Sequence, residues 1–253
     1  MYTDFAAVYD LLMRDVPYEK WAAHYAALLQ KYGVERKKCV ECACGTGALT
    51  VPLSKLGYKM TGVDLSGAML EQAMKRARDA GQTIPFIKQD MCKLTLPSRT
   101  DAVLCTCDGV NYLTAKSRLS AFLKAAYAAL KPGGVLIFDV STPYKLKHTL
   151  GSGTRTFAGG DYAYIWNTAF SERTQICRMA LTIFTKTNEG LYKRTEEEQV
   201  QRAHSREELT EALTDVGFER IRFFGGYSMR SARETDARWH IAAVRPKERK
   251  YNG

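Results

Sequence analysis

Apolar residues along this chain recur at two alternating periods. Trp21, Tyr25, Leu28, Leu29 and Tyr32 lie three and four apart, the stripe of a helix from about Tyr18 to Tyr32, with Pro17 before it and Gly33 after it. Asp4 to Met13 reads as a shorter helix ahead of it. Cys39 to Ala43 is a short run of strand length that passes straight into Gly45-Thr46-Gly47 and a helix over Ala48 to Leu56, stopped by Gly57. The unit then repeats. A strand over Lys59 to Val63 ends at Asp64, and Ser66 caps a helix with Met69, Leu70, Ala73, Met74 and Ala77 inward and Gly81 at its close. Pro85 to Lys88 is a third strand, ending at Gln89-Asp90, and Ala102 to Thr106 a fourth. Leu119, Phe122, Leu123, Ala126 and Leu130 mark the next helix, which Lys131-Pro132-Gly133-Gly134 ends before a fifth strand, Val135 to Val140. Strand and helix in strict alternation predict a mostly parallel, doubly wound α/β sheet joined by right-handed crossovers.

The period changes near residue 150. Asp161 to Phe170 alternates, with Tyr162, Tyr164 and Trp166 on one face; Gln175 to Thr187 is rich in β-branched residues; and Asn188-Glu189-Gly190 turns the chain into a return strand, Leu191 to Arg202. These features predict an antiparallel β insert over 151–203. Ser205 and Glu208 then form a capping box for a helix ended by Gly217, and Arg220 to Phe224 and Trp239 to Val244 are two last strands. The expected organisation is a core of residues 1–150 and 204–253, with the N-terminal helices as its cap and the insert as a cover over part of it.

The 253 residues, 45% of them hydrophobic and 25% charged, suit one globular unit with a sizeable core. No apolar run reaches the roughly 20 residues of a membrane span, and the N-terminal stretch carries Asp4 and Asp10 where a secretory signal needs an uncharged core, so a cytoplasmic protein is expected. Seven cysteines without scaffold spacing read as reduced thiols, and Cys39, Cys42 and Cys44 read as packing in and after one strand, so no metal is expected. The net charge of +10 is spread along the chain, its clusters (Arg36-Lys37-Lys38, Lys75-Arg76-Arg78 and the tail from Lys247 to Lys250) reading as solvated surface.

The chemistry gathers at the carboxyl ends of the strands, where open sheets bind ligands. Gly45 and Gly47 let the backbone pass close to a ligand, but Thr50 stands where a dinucleotide fingerprint wants a third small residue. Asp64 can accept from both hydroxyls of a ribose, and Asp90, at the end of the third strand, from an adenine amino group. With Glu41 before the glycines and no basic phosphate clamp beside them, the pocket suits a cationic ligand with an ammonium and a sulfonium better than a pyrophosphate.

Glu41 to Gly47, Val63-Asp64-Leu65-Ser66, Gln89-Asp90-Met91 and Leu130-Lys131-Pro132-Gly133-Gly134 resemble, in order and spacing over roughly the first 140 residues, the successive motifs of class I S-adenosylmethionine-dependent methyltransferases. Tyr2 to Met13 and Cys107-Asp108-Gly109-Val110-Asn111-Tyr112 resemble a bacterial branch of small-molecule type, with glycine and amino-sugar N-methyltransferases as more distant relatives. The resemblance implies a Rossmann-like, seven-stranded sheet with its last strand reversed, and S-adenosylmethionine as cofactor. It implies that the backbone of Ala43 to Gly47 holds the methionine portion and Asp64 the ribose. Met69 would then lie near the adenosine, with Asp90 and Met91 flanking the adenine. Cys107 and Asn111 would border the sulfonium and the acceptor. Tyr9 and Trp21 either close over the cofactor or pack in the core.

In such an enzyme the protein mainly positions the acceptor and excludes water; a general base is needed only where the acceptor must lose a proton, and Tyr9, Asp108 and His204 are the candidates. His204 reads more readily as a helix-start residue, and Tyr162, Tyr164 and Trp166 as an acceptor wall or as cover for the sheet. The fourth strand lacks the Asn/Asp-Pro-Pro-aromatic signature of amide and adenine N-methyltransferases, and Cys107 follows Thr106 rather than a proline, unlike the cytosine-C5 enzymes. The expectation is an enzyme that N- or O-methylates a small molecule. RNA methylation, non-catalytic binding of the cofactor and, last, a nicotinamide oxidoreductase are the alternatives.

Overall fold

The computed structural model describes the backbone of residues 3–247, and side chains from Val8 onward; the first two residues and most of the basic tail cluster lie outside it. Two helices open the chain, α1 (Thr3–Leu12) and α2 (Tyr18–Lys31). The alternating unit follows: β1 (Lys38–Cys42), α3 (Thr50–Lys55), β2 (Lys59–Asp64), α4 (Gly67–Asp79), β3 (Phe86–Lys88), β4 (Thr100–Cys105), α5 (Lys116–Ala129) and β5 (Leu130–Ser141). The second sheet holds β6 (Gly153–Ala158), β7 (Tyr162–Ser171), β8 (Ile176–Lys186) and β9 (Tyr192–Arg202), and the chain ends with α6 (Arg206–Val216), β10 (Glu219–Gly225) and β11 (Arg238–Val244).

The large sheet has the order β10-β11-β5-β4-β1-β2-β3. β1, β2, β3, β4 and β5 pair in parallel, whereas β11 runs antiparallel to both β5 and β10, so the last strand is the reversed one. Alternation along the buried strands feeds both faces. Ala102 and Leu104 of β4 join α2 and α3 through Tyr25, Leu28, Leu29 and Leu53, while Val103 and Cys105 join α5 and α6 through Phe122, Leu123, Leu209 and Leu213. Such strands are apolar on both sides, which is why they read as nearly continuous hydrophobic runs. The chain leaves β1 toward β2 and β3, then crosses to β4 and β5. The crevice over the carboxyl ends of β1 and β4 is therefore the topological switch point.

Two elements depart from the sequence reading. β5 starts five residues early, at Leu130, because Leu130 pairs with Thr100 across a register shift and Gly133, at φ +81°, carries the Pro-Gly-Gly turn inside the strand. β6 is not visible in the apolar pattern, because it is a largely exposed edge strand whose first four residues are Gly, Thr, Arg and Thr, held only by β7. The caps are as read at Ser66, whose hydroxyl accepts from the Met69 amide, and at Ser205, which accepts from Glu208. The Glu208 carboxylate goes to Arg202 at 2.5 Å. Among the described residues no helix is long and apolar enough to cross a membrane.

Candidate active site

At the switch point lies a cavity of about 480 Å³, within the range of small-ligand sites. Its floor is the loop after β1. Ala43, Gly45 and Gly47 all take positive φ, at +52°, +53° and +71°. For Ala43 that conformation is strained, as backbone at functional sites often is. A Cβ on Gly45 would meet nothing within 4 Å, so the chain there faces the cavity with bare backbone. Gly47 differs: its Cβ would come within 3.1 Å of Ala73 on α4, so this glycine serves close packing of loop on helix and does not line the cavity.

Three carboxylates stand around this loop. Glu41 is buried beneath it and accepts from the hydroxyls of Thr50 and Thr106, the latter at 2.5 Å. Burial pushes its carboxyl up to about 7, against the pull of those two bonds. Asp64 accepts from the amides of Gly45 at 2.8 Å and Ser66 at 2.9 Å, one on each oxygen, which leaves a lone pair on each for two further donors. Burial raises it, and the backbone donors counter that. Asp90 caps the 3₁₀ turn Met91–Lys93 through the Cys92 amide and is gripped by Arg118 in a fork at 2.8 and 3.1 Å. The Arg118 hydrogen bonds hold Asp90 below its ordinary carboxylate value. Met91 and Met69 complete the apolar lining of this half.

The other half is built after β4. Cys107 and Asp108 are consecutive left-handed residues, both at φ +54°. Gly109 follows because a Cβ there would sit 2.7 Å from the Cys105 sulfur and 3.1 Å from the Ala43 methyl. Cys107 faces the cavity, joined by Tyr9 of α1, Tyr18 at the start of α2, Tyr112, and Gln199 of β9. The first helix is clasped over the glycine loop by Asp10, which accepts from the Thr46 hydroxyl at 2.8 Å and pairs with Arg76 of α4.

Tyr9, Glu41, Ala43, Gly45, Asp64, Met69, Asp90, Met91 and Cys107 thus line one cavity, while Gly47, Trp21 and Asn111 do not. Trp21 stacks on Tyr227 with ring centroids 4.6 Å apart, packing α2 against the loop before β11. Asn111 is fully buried and spends its amide on the backbone: it donates to Ser141 and Arg202 carbonyls and accepts from the Ser141 amide, all at 2.9 Å, stitching the turn after β4 to β5 and β9. Of the other expected acceptor-side groups, Tyr162, Tyr164 and Trp166 lie off the cavity; Tyr164 packs with Tyr9 and Met69, and Trp166 with Leu146 and Met179. His204 is fully buried beside Arg202 and Glu208, away from the cavity. Asp108 is tied to Arg238 at 2.6 Å and to Gln201 at 3.1 Å. Burial works against its charge, but Arg238 and Lys145 overcome it and hold the carboxyl far below the usual range, so it is a poor proton acceptor.

The sequence reading missed Tyr18, Arg118, Tyr112 and Gln199. Tyr18 follows Pro17 at a helix start, a detectable signal; Arg118 and Gln199 reach the cavity only through the packing of α5 and β9.

The donor set fits the cofactor: bare backbone at Gly45, paired acceptor sites on Asp64, and an acid-lined pocket whose one lining guanidinium among the described residues, Arg118, is already paired to Asp90. Comparison with known proteins agrees. Residues 39–134 match a family described as a methyltransferase domain. A protein of Geobacillus sp. (strain WCH70), named as a methyltransferase, is 33% identical over 243 residues, 96% of this chain and 98% of its own length. The dTDP-3-amino-3,4,6-trideoxy-α-D-glucopyranose N,N-dimethyltransferase of Streptomyces venezuelae is 31% identical over 152 residues, 59% of this chain and 61% of its own. The crystal structure of an S-adenosylmethionine-dependent methyltransferase from Clostridium acetobutylicum ATCC 824 superposes with a TM-score of 0.86 at 29% identity, covering 98% of this chain and 99% of that one. This chain therefore belongs to the class I S-adenosylmethionine-dependent methyltransferases and takes S-adenosylmethionine as its cofactor.

Proposed function

We propose that this methyltransferase acts on a small molecule taken into the half of the cavity bounded by Tyr9, Tyr18, Cys107, Tyr112 and Gln199. The observation that carries the reading is how this half is walled. Its walls come from α1, α2, the loop after β4 and a strand of the insert, with α1 and the turn after β4 both packed against that strand, which suits a compact acceptor better than a polymer. The Streptomyces venezuelae relative, whose name gives an amino sugar as substrate, supports the same class of acceptor. In this reading residues 1–150 and 204–253 form the cofactor-binding core, and 151–203 cover the acceptor.

The backbone of Ala43, Cys44 and Gly45 would hold the methionine portion, Asp64 the ribose hydroxyls, and Asp90 with Met91 the adenine. The cofactor supplies the methyl group on an activated sulfonium with its own leaving group, so the chain's task is positioning and exclusion of water. Burial pushes the phenols of Tyr9 and Tyr18 far up, so both act as hydrogen-bond donors and not as bases. The acceptor must then present its own lone pair.

Cys107 tests this placement. Among the seven cysteines it alone is only partly buried. Native protein treated with N-ethylmaleimide is expected to be modified at Cys107, slowly, because burial of the thiol pushes it up to about 12. Saturating S-adenosylhomocysteine should slow that modification several-fold by mass spectrometry. Bound cofactor product with no protection would contradict the assignment of Cys107 to the sulfonium end.

A further inference from the structure

Asp90 and Arg118 line the cavity together with Leu65, Gln89 and Met91. The Asp90 carboxylate is nearly filled. Its Oδ1 accepts from the Cys92 amide at 2.9 Å and from Arg118 Nη2 at 3.1 Å, and its Oδ2 accepts from Arg118 Nη1 at 2.8 Å. A carboxylate oxygen has two lone-pair positions. Both on Oδ1 are thus taken, and one remains on Oδ2. The Cys92 thiol lies near the carboxylate too, but it gives its one hydrogen to the Arg118 carbonyl at 3.3 Å.

The fold explains this pairing poorly. Asp90 caps the turn Met91–Lys93 through the Cys92 amide, a bond that does not involve Arg118. Cys92 already packs in one apolar group with Leu119 and Phe122, which seats α5 against the turn. Arg118 lies in the first turn of α5, where the helix dipole favours an acid over a base. The two side chains are 46% and 22% exposed, and ion pairs as open as this contribute little to stability. What the fork does supply is direction. Two parallel N–H bonds fix the plane of the carboxylate and keep it charged, and the Arg118 hydrogen bonds do hold Asp90 below its ordinary value.

We propose that Arg118 is the positioning residue for the adenine: by occupying Asp90 in a fork it leaves one acceptor position, on Oδ2, fixed in direction for one N–H of the exocyclic amino group. The inference rests on the placement of the adenine against Asp90. It adds a source of base selectivity that comes from α5 and not from the motifs at the ends of the first three strands. Arg118 has no part in the transfer step.

The test measures, by calorimetry on the full chain, affinity for S-adenosylhomocysteine and for its analogue with hydrogen in place of the exocyclic amino group. The native protein should prefer S-adenosylhomocysteine by roughly tenfold, the loss expected for one charge-assisted hydrogen bond. Arg118→Met should lose most of that preference while binding the analogue much as the native protein does. Arg118→Lys keeps the cation without the fork and should recover only part of it. A pair that merely braced α5 would weaken both ligands alike, and a preference that survives Arg118→Met overturns the proposal. Asp90→Ala separates the two claims. If it abolishes the preference and Arg118→Met does not, the adenine lies against Asp90 but Arg118 does not aim it. If the native protein has no preference, or keeps it in Asp90→Ala, the adenine placement itself is wrong and the proposal falls with it.

Discussion

Asp64→Ala is expected to weaken S-adenosylmethionine binding at least tenfold. Two contributions add. The carboxylate has a free lone pair on each oxygen for the ribose hydroxyls, and charge-assisted hydrogen bonds of this kind contribute about 1.5–3 kcal/mol, where about 1.4 kcal/mol is a factor of ten. The same side chain accepts from the Gly45 amide at 2.8 Å and from Ser66 at 2.9 Å, so it also sets the shape of the loop that carries the bare backbone at Gly45. Calorimetric titration measures the change, and an unaltered dissociation constant would mean that the cofactor does not sit against Asp64. Asp64→Asn keeps an acceptor for one backbone donor and is expected to fall between the native protein and the alanine variant.

The largest effect on stability is expected at Arg238. Its guanidinium, nearly enclosed, pairs with Asp108 at 2.6 Å and with Asp139, which is wholly buried and also accepts from the Tyr25 hydroxyl at 2.8 Å. Arg238 thus compensates the buried Asp139 of β5 and, together with Lys145, the partly buried Asp108 in the turn after β4. Arg238→Met would leave both without it, and removing one partner of a buried pair costs about 3–5 kcal/mol. In a chain of this size that corresponds to a fall in Tm of roughly 10 °C. Arg238→Lys should recover only part of the loss, because an ammonium cannot make the fork that reaches both carboxylates. Thermal melts of the two variants distinguish this network from an incidental surface pairing, for which both would melt like the native protein.

Much of the fold was legible because the parallel strands and their helices carry strong periodic patterns, and because the turns after β1, β2 and β3 place Gly45, Asp64 and Asp90 at strand ends whatever the detail of packing. What stayed hidden depends on contacts between distant segments. β6 has no apolar face to announce it, since it is held at one edge and exposed along most of its length. Arg118 lies on α5, far along the chain from the Asp90 it grips, and Gln199 belongs to an insert whose side facing the cavity cannot be read from alternation alone. Asn111 shows the opposite failure. Its place in the turn after β4 suggested a role beside the cofactor, yet a buried amide must satisfy its hydrogen bonds, and the nearest partners are the backbones of β5 and β9. Trp21, for which two readings stood open, packs against Tyr227.

Methyl transfer into a small molecule is tested most directly with the pure chain, S-adenosylmethionine labelled in its methyl group, and cell extract separated into small-molecule, RNA and protein fractions. Label should leave S-adenosylmethionine and appear in another compound of the small-molecule fraction. Label confined to RNA or protein, or transferred to no fraction by a chain that demonstrably binds the cofactor, would contradict the account.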